Sequence, residues 1–229
     1  MTELGLYIDI EGFAEKFDNG AKQSFINLTN DLFRLGQTDF KHLSIIQFGG
    51  DGFHIKEVLT YTNDLNRFID IATALLISIA LRGGMGRVHI SHGRMADITG
   101  LFTDEIQNQI RNNNSNILGT YQNVMLINPV IGTSIINCYK LKGPKGPLLL
   151  IDKLLAVNFP KEDLIHYSNN GHDVYGINWL KRKNDSINRL LSALKLDNSS
   201  LIKKFENYLT ENKLPDEWKK EAQNLLEYN

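Results

Sequence analysis

The sequence contains only one cysteine, Cys138, among its 229 residues. A single thiol excludes an internal disulfide framework, and no charged segment followed by a short apolar segment opens the sequence. We therefore expect a cytoplasmic protein. Because Cys138 falls on the apolar side of a helical pattern, we interpret it as a small core residue and not as a nucleophile.

Long apolar runs and a strong charge of one sign are also missing. The longest apolar run, residues 69–81, includes Asp70, Thr73 and Ser78 and is too short to span a bilayer, so we expect no membrane partner. The 25 basic and 26 acidic side chains give a formal net charge of −1, which argues against a nucleic-acid partner. A lysine-bearing phosphate loop of the form GxxxxGKS or GxxxxGKT is absent as well, which disfavours an ATPase.

The apolar periodicity predicts a fold that combines strands and helices. Short apolar runs bounded by glycine predict strands, and apolar residues at helical spacing predict helices. The predicted strands cover residues 5–10, 43–48, 53–55, 86–91, 124–127 and 148–151, and the predicted helices cover residues 23–35, 63–81 and 133–141. This order is typical of an α/β (α+β) fold, in which a mixed sheet is flanked by helices. The asparagine-rich residues 111–116 are predicted to form a loop.

The sequence becomes more polar after about Pro160. We expect one domain in residues 1–158 and a helical C-terminal extension in residues 159–229. Its helical stripes lie near residues 185–194, 201–209 and 215–226. Large apolar side chains such as Trp179 and Trp218 need cover, so the extension should pack on its own core or on a second subunit.

Two short motifs carry the chemistry of the sequence. Residues 7–13 read Tyr-Ile-Asp-Ile-Glu-Gly-Phe, and residues 48–53 read Phe-Gly-Gly-Asp-Gly-Phe. Each motif places one aspartate beside glycine where an apolar strand ends, and the second motif lies at the tip of a predicted hairpin. If the first strand lies beside this hairpin, Asp9 and Asp51 converge.

Converging carboxylates predict a metal site that serves phosphate chemistry. Carboxylate oxygens suit Mg²⁺ and Mn²⁺, so we predict two divalent metal ions, roughly 3.5–4 Å apart, held by Asp9 and Asp51. The backbone carbonyl of Ile10 is expected to complete the shell, and the backbone N–H groups of Gly12 and Phe13 are expected to receive phosphate oxygens. A single aspartate in such a turn is more often a helix cap or a turn former. Two of them at adjacent strand ends favour a site for a nucleoside triphosphate.

Both motifs resemble those of class III nucleotide cyclases, and Arg-Gly-Gly-Met at residues 82–85 is similar to the strand entry that follows in that family. The similarity spans residues 5 to about 152. The Arg-Gly-Gly segment and residues 131–141 look most like the bacterial pyrimidine cyclases of Pycsar antiphage systems, which make cyclic CMP or cyclic UMP from CTP or UTP. The resemblance implies a nucleotide cyclase domain in which the ribose 3′-hydroxyl attacks its own α-phosphorus and pyrophosphate leaves.

The resemblance also implies roles for individual residues beyond the two aspartates. Lys140 or Arg82 neutralises phosphate charge, Gln47 contacts the base, and the hairpin residues Gly49 and Gly50 belong to the nucleotide-binding set. Two plainer roles remain open at this point: Arg82 complements a helix dipole, and Lys140 is a solvated side chain.

The sequence departs from the family pattern at three positions. Adenylate and guanylate cyclases of this class carry an asparagine and, four residues later, an arginine that stabilise the transition state, and here these positions are Ile136 and Lys140. Isoleucine donates no hydrogen bond, and lysine lacks the planar fork of arginine. Gln47 replaces a purine-reading lysine, which implies a changed base pocket that is compatible with a pyrimidine.

The resemblance further implies a homodimer with composite active sites and a cyclic product that a separate effector protein reads. Three alternatives remain open. They are a purine cyclase, a diguanylate cyclase and a catalytically silent nucleotide-binding dimerisation module. Residues 49–53 are similar to the GGDEF motif of diguanylate cyclases, but Gly52 replaces the acidic residue of that motif. The missing asparagine and arginine favour the silent module, whereas the two intact aspartates argue against it.

Three histidines are candidates for a different metal site. His54, His89 and His92 do not have the spacing of the helical HExxH motif, and His89 and His92 are expected on opposite faces of a strand. We interpret all three as ordinary polar positions.

Overall fold

The computed structural model describes the chain in residues 3–12, 19–37, 43–48, 51–57, 64–113, 117–119, 124–126, 130–141, 143–169 and 172–228. The strands are β1 (Glu3–Ile10), β2 (Leu43–Phe48), β3 (Gly52–Glu57), β4 (Gly86–Gly93), β5 (Met95–Asp97), β6 (Ile117–Gly119), β7 (Val124–Leu126), β8 (Val130–Gly132), β9 (Leu149–Asp152), β10 (Leu164–Asn169) and β11 (His172–Ile177). The α-helices are α1 (Asn19–Gly36), α2 (Leu65–Leu81), α3 (Asp104–Asn113), α4 (Thr133–Lys140), α5 (Lys153–Ala156), α6 (Asp185–Ala193), α7 (Leu201–Glu211) and α8 (Asp216–Glu227).

A seven-stranded sheet with the order β10-β11-β9-β4-β1-β3-β2 organises the molecule. Strand β1 runs antiparallel to both of its neighbours, β3 and β4, whereas β4 and β9 are parallel. The sheet is therefore mixed, and with its flanking helices and helical C-terminal segment it confirms the predicted fold class. The carboxyl end of β1 lies between the β2–β3 hairpin and the start of β4.

The two faces of β1 differ in chemistry because its side chains alternate between them. Leu6 and Ile8 are fully buried in the hydrophobic core, where α2 is buried along every residue from Phe68 to Leu81. Asp9 lies on the other face, the polar face, which α4 covers in part. A Cβ on Gly93 would lie 2.2 Å from the backbone N of Ser134, so α4 packs directly on the strand backbone there.

Cys138 lies on the sheet side of α4 and is fully buried, as the sequence predicts for a core residue. Its Sγ lies 3.2 Å from the Oγ of Ser91 on β4. Burial raises the pKa of this thiol to about 11, although hydrogen bonds from neighbouring groups oppose the shift. The thiol is therefore protonated near neutral pH, which agrees with a packing role.

Residues 164–177 differ from the sequence prediction because they form strands β10 and β11, where a helical extension was expected from residue 159 onward. Strand β11 pairs with β9, and β10 pairs with β11 at the edge of the sheet. The free edge of β9 favours strand pairing over the weak helical preference of this segment. A smaller difference concerns α3, which continues to Asn113 into the predicted loop.

The three C-terminal helices share the core of the sheet. The fully buried rings of Trp179 and Phe205 meet edge to face, with centroids 5.8 Å apart. One hydrophobic cluster contains both of these residues together with Leu6 of β1 and Trp218 of α8. Residues on both sides of the predicted boundary at 158/159 thus bury one another. Among the described helices, none has the length and apolar character that crossing a bilayer requires.

Candidate active site at the carboxyl end of β1

The structure brings Asp9 and Asp51 together. Ile8 pairs with Phe53 across β1 and β3, so the next position along β1 comes beside the turn that precedes Gly52. The two carboxyl groups are close enough to repel each other and to share a hydrogen bond. Residues far apart in the sequence thus form an acidic pair at one edge of the sheet.

The environment of Asp9 raises its pKa from 3.8 to about 7. Burial is the largest cause, and repulsion from Asp51, a hydrogen bond with Asp51 and repulsion from Glu11 add to it, while the backbone N–H of Ile10 opposes the shift. A carboxyl group that is costly to ionise alone becomes favourable to ionise beside a cation. The acidic pair therefore has the electrostatics of a cation site.

The residues present fit a divalent metal ion. Oδ1 of Asp9 is buried and has no hydrogen-bond partner among the described residues. Such an oxygen is free to ligate a metal, and Mg²⁺ and Mn²⁺ prefer oxygen ligands. The described part of the chain contains no group of three or more His, Cys, Asp or Glu side chains arranged for a metal. The remaining ligands would therefore be backbone carbonyls, water and phosphate oxygens, as is usual for Mg²⁺.

Arg87 joins the candidate site in the structure, although neither sequence motif contains it. It pairs directly with Asp9 across β1 and β4, so both side chains lie on the polar face. Burial lowers the pKa of its guanidinium, and the acidic groups Glu11 and Asp9 are the largest influences in the opposite direction. The signal in the sequence is the alternation of Arg87, His89 and Ser91, three polar residues at the spacing of one strand face.

His89 holds Arg87 in position. Nε of Arg87 donates to Nε2 of His89 at 2.8 Å, and Nδ1 of His89 lies 2.8 Å from the carbonyl oxygen of Cys138. Burial and the charge of Arg87 lower the pKa of His89 to about 3, although the hydrogen bond to Cys138 opposes this. A neutral ring with its proton on Nδ1 satisfies both bonds. His89 is therefore a fixed support of the site and not merely a polar position.

The other two histidines have separate surroundings. His54 is fully buried on the polar face, and burial followed by repulsion from Lys56 lowers its pKa to about 4. Neither of its ring nitrogens has a hydrogen-bond partner among the described residues. Nδ1 of His92 lies 2.7 Å from Oδ2 of Asp152, at the start of α5.

Arg82 lies between α1 and α2, where it is paired with the buried Asp31. Both of its terminal nitrogens bond Asp31, with Nη2 3.1 Å from Oδ1, and Ser78 bonds the same carboxylate. This arrangement uses the guanidinium to join two helices. It favours a structural role over the predicted contact with phosphate.

Lys140 lies at the end of α4 and is exposed. It lines a cleft of about 390 Å³ together with His92, Asn137, Asp152 and Lys153. Neither Asp9 nor Asp51 lines this cleft.

Gln47 lies on the face of the sheet opposite to Asp9. It pairs with Phe53, whose ring stacks on Phe25 of α1 at a centroid distance of 5.5 Å. Directly paired residues of neighbouring strands share a face, so Gln47 lies on the α1 side. The register does not favour contact with a base bound over the polar face.

Gly12 has a φ of +77°, a conformation that glycine adopts without strain. It lines a small cavity of about 100 Å³ together with Ile10 and Glu11, and Tyr208 and Asn212 of the C-terminal segment lie on its wall. The predicted nucleotide-binding residues Phe13, Gly49 and Gly50 lie outside the described residues.

No protein-family model matches the chain, and no curated protein matches it. Solved structures with a similar chain path include the adenylyl cyclase CyaB from P. aeruginosa, at 11% identity and a TM-score of 0.47 over 81% of this chain and 96% of that chain. The guanylyl cyclase Cya2 is 12% identical with a TM-score of 0.42, over 77% of this chain and 91% of that chain. The guanylyl cyclase domain of the RhoGC fusion protein from the aquatic fungus Blastocladiella emersonii is 10% identical with a TM-score of 0.43, over 77% and 95%.

Proposed function

We propose that the chain is a metal-dependent nucleotide cyclase that converts UTP or CTP into the 3′,5′-cyclic monophosphate and pyrophosphate. The observation that carries this proposal is the acidic pair of Asp9 and Asp51, with a buried carboxylate oxygen lacking a partner and Arg87 directly opposite. Carboxylates beside a fixed guanidinium suit a ligand that combines divalent cations with phosphate groups.

Each residue of the site has a definite task in this reaction. Asp9 and Asp51 would hold two Mg²⁺ or Mn²⁺ ions. When bound, these ions would activate the attacking hydroxyl and stabilise the charge of the leaving pyrophosphate. Arg87 supplies positive charge to the triphosphate from a strand, where its position is fixed. Because nucleophile and phosphorus belong to one molecule, the protein contributes mainly positioning and charge.

The pyrimidine base and the biological role rest on the motif resemblance in residues 82–84 and 131–141. On that basis the product is cyclic UMP or cyclic CMP, made in the cytoplasm as a second messenger of antiphage defence and read by a separate effector protein.

A homodimer with composite active sites is part of the same proposal. Ile136 and Lys140 are exposed on α4, the helix that packs on β1 and β4 over the polar face. In such a dimer a second copy of the chain would cover this face and bring Lys140 to the triphosphate. The lysine would then replace the arginine of the purine cyclases as a point charge.

The test is product identification by mass spectrometry after the protein is incubated with each of the four ribonucleoside triphosphates and Mn²⁺. We expect a cyclic monophosphate from UTP or CTP. Equal conversion of ATP or GTP would identify a purine cyclase, and a two-nucleotide product from GTP would identify a diguanylate cyclase. Triphosphate binding without release of pyrophosphate would identify the silent binding module.

A further inference from the structure

Trp218 of the C-terminal helix α8 reaches the end of β1. Its indole N–H donates to Oε2 of Glu11 at 3.0 Å, and the side chain is almost completely buried. Glu11 follows Asp9 by two positions. The hydrogen bond therefore joins the last helix of the chain to the strand end that carries the acidic pair.

The neighbours of Trp218 on α8 also face this region. The acidic side chain of Glu217 lies near Arg87, as do those of Glu11 and Asp9. Glu221, one turn further along α8, is buried beside Tyr167 of β10. Helix α8 therefore presents one side to the surroundings of Arg87.

The far end of α8 is anchored to the sheet. The side-chain amide of Asn178, just after β11, donates to the carbonyl oxygens of Leu225 and Tyr228 at 2.9 Å in each case. The hydroxyl of Tyr228 donates to the carbonyl oxygen of Leu164 at 3.1 Å. These bonds fix the helix and hence the position of Trp218.

The preceding helix α7 contributes to the same region. The ring centroids of Tyr208 and Trp218 lie 5.9 Å apart. Tyr208 and Asn212 line the small cavity beside Gly12, the residue at which we expect phosphate oxygens to bind. The C-terminal segment thus forms part of the wall of the cavity at the end of β1.

We infer that Trp218 is a positioning residue of the cyclase site, which acts through Glu11 to fix the carboxyl end of β1, where Asp9 lies opposite Arg87, for the incoming triphosphate. This inference rests on the proposed function. It goes beyond the two sequence motifs because it makes the C-terminal segment part of the machinery of the site.

Trp179 offers a matched control. It is also buried, and its indole N–H also donates a hydrogen bond, to the carbonyl oxygen of Pro147 at 2.7 Å. Replacing either tryptophan by phenylalanine removes one indole N–H and keeps an aromatic ring. In Trp218→Phe we expect the KM for the triphosphate to rise about ten-fold, the size expected when a hydrogen bond to a charged group is lost. In Trp179→Phe we expect the KM of the wild-type protein.

A double variant shows whether Trp218 acts through Glu11. If it does, Glu11→Ala combined with Trp218→Phe has the KM of Glu11→Ala alone, within about two-fold, because the two changes break one interaction. A KM of the double variant that is raised by the product of the two single-variant factors would overturn the inference. An equal rise of KM in Trp218→Phe and Trp179→Phe would overturn it too, since loss of any buried hydrogen bond would then suffice.

A measurement of binding separates this inference from the proposed function. The chain has two tryptophans, so in Trp179→Phe the emission of Trp218 is observed alone. We expect addition of Mn²⁺ with a 3′-deoxynucleoside triphosphate, which has no attacking hydroxyl, to shift this emission with a saturating dose dependence. If the wild-type protein makes no cyclic product but the emission of Trp218 in Trp179→Phe still shifts, the proposed cyclase activity is refuted. The coupling of Trp218 to the triphosphate site is then retained. If the wild-type protein makes cyclic product but the emission of Trp218 stays constant, the coupling is refuted and the proposed cyclase activity is retained.

Discussion

Asp9 and Arg87 pair directly across the antiparallel strands β1 and β4, with both side chains on the polar face of the sheet. An acid that is costly to ionise alone thus lies opposite a base that cannot be deprotonated in ordinary conditions. The strands fix the spacing of the two groups before any ligand arrives. Preorganised charge of this kind is what stabilises developing charge in a transition state.

We expect Asp51→Asn and Asp9→Asn each to abolish formation of the cyclic nucleotide while the chain stays folded. Each change removes a charge that the proposed function assigns to metal binding, and it preserves the size of the side chain. The control is Asp197→Asn, which alters an exposed aspartate that bonds Ser199. Product yield and circular dichroism are the measurements. Full activity of either site variant would refute the acidic pair as the metal site.

The stability of the metal-free protein should depend on Asp9 between about pH 4 and pH 7. Its pKa is 3.8 in a free side chain and about 7 in the folded chain. Within this range the folded chain keeps a proton that the unfolded chain has lost, so Asp9 lowers the free energy of unfolding as pH rises, by about 2–4 kcal/mol in all.

Asp9→Asn cannot titrate and isolates this contribution. We expect its advantage in unfolding free energy over the wild-type chain to grow from pH 4 to pH 7 and to stay constant above about pH 8. Urea denaturation in the presence of a chelator measures the difference. The buried histidines are common to both chains and cancel. A difference that does not change with pH would contradict the raised pKa.

Arg87→Gln should lower kcat/KM about 100-fold or more, since it removes a fixed positive charge from the triphosphate site. Arg87→Lys should recover part of this loss, because lysine restores the charge but not the planar fork that also bonds His89. Steady-state kinetics with Mn²⁺ is the measurement.

The control for Arg87 is Arg182→Gln. Arg182 donates to Asp70 at 3.1 Å and joins α2 to the segment before α6, so its loss should reduce stability and leave the KM unchanged. Equal kinetics of Arg87→Gln and the wild-type chain would remove Arg87 from the site.

The ion pair of Arg82 and Asp31 should matter for stability more than for catalysis. Asp31→Ala leaves a partly buried guanidinium without its partner and should cost about 3–5 kcal/mol. Asp31→Leu combined with Arg82→Met should recover most of that loss, because apolar side chains replace the whole pair. Denaturant unfolding gives both numbers. If the folded double variant shows a KM raised ten-fold or more, the predicted phosphate role of Arg82 gains support instead.

Gly93→Ala should destabilise the chain by about 1–3 kcal/mol. The added Cβ would lie 2.2 Å from the backbone N and 2.6 Å from the Cα of Ser134, so α4 would have to move off the sheet. Gly100→Ala is the control, since nothing lies within 4 Å of a Cβ at that position. Thermal unfolding of the two variants measures the difference. Equal stability would mean that α4 is not seated on β4 as described.

The sequence predicts the fold well where the pattern is local. Periodicity alone places β1, α2 and the β2–β3 hairpin, because a strand end beside glycine and a long apolar helix leave clear marks. Periodicity does not predict strands β10 and β11, since their conformation depends on the pairing of β11 with β9 and of β10 with β11. Local preference does not report such pairing.

The site divides in the same way. The convergence of Asp9 and Asp51 follows from two motifs and one assumption about neighbouring strands. Arg87 belongs to the site only because β1 and β4 pair in this register, and Trp218 only because α8 folds back on the end of β1. No motif marks either residue, so the sequence alone points to half of the site.

Helix α2 is buried along every residue from Phe68 to Leu81, and part of its cover comes from α6 and α7, which are encoded much later in the chain. During synthesis this apolar segment leaves the ribosome well before its cover has been made. Burial by distant segments slows folding and leaves apolar surface open while the chain is incomplete. Until α7 has emerged and packed on α2, the incomplete chain therefore exposes an apolar helix and is prone to aggregate.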